Sequence, residues 1–209
     1  MRTDSDAYAA YEHLRPPGRD PQHMREVTRD QWRRQAGARG PLWVFGYASL
    51  IWRPDFDPAE RHPTRVHGWH RALAMWSRVN RGTPEQPGLV FALLPGGSCQ
   101  GVVYRVAARE ADAVFDRLWA REMPSAVYDP RWLACSTPHG PVQALAFTLS
   151  RRSPSYTGAL TPGQYRDIFR HAHGRYGSTL DYARQTLNSL HAHGVNDLQL
   201  SRLLHYADE

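Results

Sequence analysis

Read for the spacing of apolar and polar positions, the chain divides into a polar opening, a middle of short apolar runs and a helical end. Residues 1–40 carry mixed charge, Pro16-Pro17 and few large apolar groups. Within them the pattern predicts one short helix from Thr28 to Ala36, with Thr28 as cap and Trp32 as its single bulky anchor. The expected organisation is an N-terminal extension over 1–40, partly helical or disordered, followed by one domain over 41–209.

From Leu42 the large residues cluster as strands do. Leu42 to Phe45 is a buried-strand run that loses its bulk at Gly46, Tyr47, Ala48 and Ser49 before apolar residues resume at Leu50, Ile51 and Trp52. Thr64 to Trp76 reads as a second strand. Residues 78–88, rich in Gly, Pro and polar groups, read as an ordered loop or flap. Leu89 to Leu94 and Gln100 to Ala107 are apolar runs joined by Pro95-Gly96-Gly97-Ser98, which predicts a hairpin. Trp132 to Thr137 and Val142 to Leu149 predict another around His139-Gly140-Pro141.

Helical spacing takes over elsewhere. Val114, Phe115, Leu118 and Trp119 make one apolar stripe in a helix expected over Ala108 to Met123, stopped by Pro124. Thr161, Pro162 and Gln164 form a cap, first-turn proline and capping-box partner for a helix to about His173. Ser178 and Asp181 repeat the device before a helix closed by Gly194, and Asn196 is expected to cap a last helix carrying Leu198, Leu203 and Leu204. Strands first and helices last predict an α+β domain with helices packed around a closed or nearly closed sheet.

Composition narrows the function. At 209 residues the length does not call for two domains. No apolar run is long enough for a membrane span and the start has no hydrophobic signal region, so the expected location is cytoplasmic with no membrane partner. Cys99 and Cys135 alone give no disulfide framework and no zinc spacing. The net charge is +6 and all 26 basic residues are arginine, which raises nucleic-acid binding as a rival. The arginines are interleaved with acids and form no dense tract, which reads as a solvated arginine surface with no nucleic-acid partner; such a surface would also favour an acidic small substrate. His171-Ala172-His173 and His191-Ala192-His193 fall in expected helices, where i and i+2 diverge, and no metal is expected there.

Glu122 is the residue least suited to a structural role. Four positions after Leu118 and three after Trp119, it falls on the buried stripe, in a last turn where the helix dipole opposes negative charge. Burial and dipole both favour its protonated form, which suits proton transfer near neutral pH. An ordinary helix-end glutamate that pairs with an arginine or bends out to solvent is the structural alternative.

Val-Phe-Gly-Tyr-Ala-Ser-Leu-Ile-Trp at 44–52 resembles the substrate-binding signature of the ChaC-type γ-glutamylcyclotransferases, with Ala48 where that family prefers glycine. Gly68 to Arg71, Arg81 to Gly88 and Pro95 to Gly101 resemble it further, and the similarity extends from about Leu42 to Tyr206. The resemblance implies a small mixed β-barrel with surrounding helices and no cofactor. It implies that Val44, Phe45, Gly46, Tyr47, Ala48, Ser49 and Leu50 bind substrate, and that Glu122, in its Arg-Glu-Met context, is the catalytic acid and base. Arg71 or Arg81 would pair with a substrate carboxylate. The histidine usual before Arg81 is Asn80 here. The expected activity is cyclisation of glutathione to 5-oxoproline and cysteinylglycine by a monomer or weak dimer. The alternatives are a cyclotransferase for other γ-glutamyl amines or amino acids, and a γ-glutamyl-binding protein with impaired catalysis.

Overall fold

A computed structural model describes residues 15–208, so the first part of the expected extension lies outside the described residues. Helix α1 spans Pro21–Ala36 and is longer than the spacing predicted. Asp20, not Thr28, caps it by accepting the Gln22 N–H at 2.9 Å, and Pro21 starts it with a preset φ. Thr28 lies inside the helix and returns its hydroxyl to the Met24 carbonyl at 2.8 Å. Trp32 is the anchor: it is 1% exposed, stacks on Phe115 with ring centroids 5.8 Å apart, and donates to the Pro41 carbonyl at 2.9 Å.

The body is one mixed sheet of five strands: β1 (Leu42–Gly46), β2 (Glu60–Ser77), β3 (Gly88–Val106), β4 (Asp129–Thr137) and β5 (Gly140–Thr148). Their order is β2-β3-β1-β5-β4, with β1 parallel to β5 through Val44 and Leu145 and every other pairing antiparallel. The sheet curls until its edge strands meet, where the Ser136 N–H of β4 donates to Thr64 Oγ1 of β2 at 3.1 Å. A curled sheet of this kind blunts the exposed edges that would otherwise invite pairing with another chain.

One expected turn is not a turn. Pro95 to Ser98 lies inside β3, which pairs with β2 along almost its whole length. The register shifts between His67 and Trp69, and Gly68, Gly96 and Gly97 there have positive φ. The glycines absorb a bulge that bends two long strands around the barrel. The chain reversal occurs instead at 78–87, between β2 and β3.

Alternation along β1 sends side chains to two cores. Leu42 and Val44 join Trp32, Phe115, Leu118 and Phe147 on one face; Phe45 joins Phe91, Phe169, Tyr182 and Leu190 on the other. The first core is covered by α3 (Ala111–Glu122), which begins three residues later than the pattern predicted and ends one earlier. The second is covered by α4 (Pro162–His171), α5 (Thr179–Ala192) and α6 (Leu198–His205). Thr161 and Gln164 form the expected capping box, and Ser178 accepts from the Asp181 N–H at 3.0 Å. Asp197 caps α6 in place of Asn196, accepting the Leu200 N–H at 2.9 Å. Among the described residues no helix is long and apolar enough to cross a membrane.

Candidate active site

Strand β1 ends at Gly46, and the chain turns through Tyr47 and Ala48 into α2 (Ser49–Trp52), a single helical turn. The turn is tight. A Cβ on Gly46 would come within 3.1 Å of the Tyr104 ring, and one on Gly101 would run into the Gly46 carbonyl. The Ile51 N–H returns to the Ala48 carbonyl at 2.8 Å, while Ser49 and Leu50 occupy first-turn positions, where a helix offers no acceptor for the backbone N–H. Ala48 has φ −146°, so the family's glycine is not required here for its positive-φ freedom.

Beside this turn lies a cleft of about 240 Å³, whose lining includes Ser49, Asp55, Arg81, Arg121 and Glu122. Three segments form it: the α2 turn continuing through Arg53 and Asp55, the end of β2 with residues 78–81, and the end of α3 continuing through Ser125 and Tyr128. Tyr176 and Tyr182 close the remaining side. The short strands β6 (His173–Gly174) and β7 (Gly177–Ser178) hold Tyr176 against the 78–81 segment, where its N–H donates to the Asn80 carbonyl at 2.9 Å.

Glu122 is the last residue of α3, with its side chain 16% exposed. Burial pushes its carboxyl above the ordinary carboxylate range; Arg121 opposes that shift and Asp55 adds to it. Arg121 Nε lies 3.0 Å from Glu122 Oε1. The same guanidinium donates to Ser49 Oγ at 3.1 Å and to the Arg53 carbonyl at 2.5 Å, and pairs closely with Asp55. Asp55 has a positive φ of 61°, a conformation aspartate tolerates better than most residues. Glu122 therefore both pairs with an arginine and faces the cleft.

The other residues picked from sequence differ in where their side chains lie. Ser49 and Arg81 face the cleft with Glu122. Arg81 is 8% exposed, donates to the Tyr176 carbonyl, and stacks over Tyr182 at 4.9 Å; burial lowers its pKa. Tyr47 is buried beneath, its hydroxyl donating to the Phe147 carbonyl at 2.9 Å. Its pKa is raised far above normal by burial and then by the charge of Glu122. Val44, Phe45 and Leu50 are core residues whose side chains do not reach the cleft, because strand alternation and the α2 turn point them into the two cores.

Arg71 does not line this cleft. Its guanidinium is fully engaged with Asp197 at 3.0 Å, the Tyr47 carbonyl at 2.8 Å and the Gln100 carbonyl at 3.0 Å. It is a buried brace under the turn, not a free cation.

Arg121, Asp55 and Tyr182 were not singled out from sequence. The signal for Arg121 was present in the Arg-Glu-Met context. Nothing in the spacing indicated that residue 121 would reach back to 49–55. His171 and His193 direct Nδ1 at the Asp167 and Ser189 carbonyls of their own helices, at 3.0 and 2.8 Å. No cluster of three or more His, Cys, Asp or Glu suited to a metal occurs among the described residues. Cys99 and Cys135 are buried free thiols, and burial pushes Cys135 up to about 12.

The chain is 33% identical over 166 residues to the glutathione-specific γ-glutamylcyclotransferase of Escherichia coli, spanning 79% of this chain and 72% of that protein. It is 29% identical over 171 residues to the human glutathione-specific γ-glutamylcyclotransferase 1, spanning 79% and 77%. The crystal structure of a yeast γ-glutamylcyclotransferase specific to glutathione has the same fold, with a TM-score of 0.73 at 21% identity over 80% of this chain and 96% of that one. The model of the ChaC-like protein family matches residues 42–209, the curled sheet and its helices together. With the signature turn, the cleft and Glu122 all inside that match, the chain belongs to the ChaC-like family.

Proposed function

We propose that this protein degrades glutathione by intramolecular cyclisation, releasing 5-oxoproline and cysteinylglycine. The observation that carries the reading is the placement of a buried carboxylate with raised pKa, Glu122, across a cationic cleft from the turn at Ser49. The names of the relatives supply the substrate.

In this reaction the α-amine of the γ-glutamyl group attacks its own γ-carbonyl carbon. A C–N bond forms, the ring closes, and the old amide C–N bond breaks as cysteinylglycine leaves. Glu122 takes the proton that the attacking amine must lose and returns one to the departing nitrogen. A carboxyl whose pKa lies above the usual range is suited to both steps, and Arg121 keeps it from being fixed in its neutral form. Backbone N–H groups around Tyr47 to Leu50 face the developing oxyanion. Ser49 orients the amine, and Arg81 pairs with the α-carboxylate. The cleft's part is to hold the γ-glutamyl chain bent back on itself, since ring closure gains most of its rate from orientation.

Incubation with glutathione, followed by mass spectrometry of the products, tests the reading. Equimolar 5-oxoproline and cysteinylglycine are expected; free glutamate would indicate hydrolysis and overturn it.

A further inference from the structure

The charges around the cleft do not balance. Four arginines line it, Arg53, Arg78, Arg81 and Arg121, against two acids, Asp55 and Glu122. Arg53 Nε lies 3.2 Å from Asp55, and Arg121 holds both Asp55 and Glu122. Arg78 and Arg81 have no carboxylate within ion-pair distance among the described residues. The two differ in depth. Arg81 is almost fully buried against Tyr182, whose hydroxyl feels the charges of Glu122, Arg81 and Arg121 together. Arg78 is half-buried just past the end of β2, its guanidinium carbon 6.0 Å from the Trp76 ring centroid, and hydrogen-bonds no described residue.

A half-buried guanidinium left without an acceptor loses hydration with nothing in return unless a ligand supplies the acceptor. The substrate proposed above carries two carboxylates. Its α-carboxylate lies on the same carbon as the reacting amine, so it belongs beside Glu122, at Arg81. The second carboxylate terminates the peptide that leaves, farther from the reacting carbon. We infer that Arg78 binds this terminal carboxylate and so makes the cleft select γ-glutamyl peptides with a free C-terminus over γ-glutamyl amines and esters. The inference rests on the cyclotransferase reading and adds to it the residue that reads the leaving portion.

The test compares glutathione with its glycine ethyl ester, which keeps every atom of the reacting end and replaces the terminal carboxylate with a neutral ester. The wild-type protein should favour the acid in kcat/KM by about 10- to 100-fold, the range of a charge-assisted hydrogen bond. Arg78→Gln should bring the two substrates to within about twofold of each other, the loss falling on KM for the acid, while Arg78→Lys should restore part of the preference. Equal use of acid and ester by the wild type, or an equal loss on both substrates in Arg78→Gln, would overturn the subsite. Titrating both compounds into the Glu122→Gln protein measures the same preference as binding alone. Equal affinity for both there overturns the subsite. Preferential binding of the acid, together with no 5-oxoproline from the wild type, upholds the subsite and overturns the reaction.

Discussion

Arg121 Nε sits 3.0 Å from Glu122 Oε1 while the other end of its guanidinium donates to Ser49 Oγ at 3.1 Å. One side chain thus ties the carboxylate at the end of α3 to the signature turn after β1, although the two lie far apart in sequence. The same contact opposes the effect of burial on Glu122, so position and proton affinity are set together. Removing it should disturb both. Arg121→Gln is expected to lower kcat/KM by about 10- to 100-fold, as misplacement of a reacting group does. It should also move the acid limb of the pH–rate profile upward, because a carboxyl that loses its cationic neighbour holds its proton to higher pH. An unshifted limb would limit Arg121 to packing.

Glu122 itself should be needed for turnover and costly for stability. Glu122→Gln keeps the size and loses the proton, so kcat should fall by about 10²- to 10⁴-fold. Because its folded pKa is raised, Glu122 is protonated in both states at low pH and costs nothing there. Above about pH 4 the unfolded chain ionises first, and the folded state loses stability until its own carboxyl ionises. The variant escapes that loss. Its melting temperature should match the wild type near pH 4 and exceed it increasingly toward neutral pH; the opposite trend would mean that the Arg121 contact outweighs burial.

Arg71 should behave as a brace. Its side chain is 5% exposed and Asp197 is 17% exposed, so Arg71→Ala leaves a largely buried carboxylate without its ion-pair partner. The expected cost is about 3–5 kcal/mol, read by chemical denaturation. Enough of the variant should remain folded at low temperature to show a KM for glutathione within a few-fold of the wild type. A large rise in KM with stability intact would place Arg71 in the substrate site after all.

How much was legible beforehand depended on the range of the interaction. The stripe of Val114, Phe115, Leu118 and Trp119, the Thr161 capping box and the hairpin at Gly140 are local patterns, and each element formed within a few residues of where its spacing placed it. Pro95-Gly96-Gly97-Ser98 has turn composition, but a bulge opposite Gly68 needs the same residues, and only the pairing partner tells the two apart. Glu122 stood out because an acid on an apolar stripe is locally anomalous. Arg71 and Arg78 look alike in sequence. Asp197, which occupies the first and not the second, comes from a helix more than a hundred residues away.

Ala48 should tolerate the family's glycine. With φ at −146° the alanine does not take the positive-φ conformation that glycine alone adopts freely, and glycine there adds freedom to the unfolded chain. Ala48→Gly should cost about 0.5–1 kcal/mol in stability and change kcat/KM by less than tenfold. A gain of several orders of magnitude would mean that the methyl obstructs the γ-glutamyl position.

The most direct test of intramolecular cyclisation is to run the glutathione reaction in water enriched in ¹⁸O. Ring closure by the substrate's own amine brings no solvent oxygen to the γ-carbon. Wild-type protein should therefore yield unlabelled 5-oxoproline with one equivalent of cysteinylglycine, and Glu122→Gln should yield almost none in the same time. Labelled glutamate among the products, or undiminished 5-oxoproline from Glu122→Gln, would contradict the account.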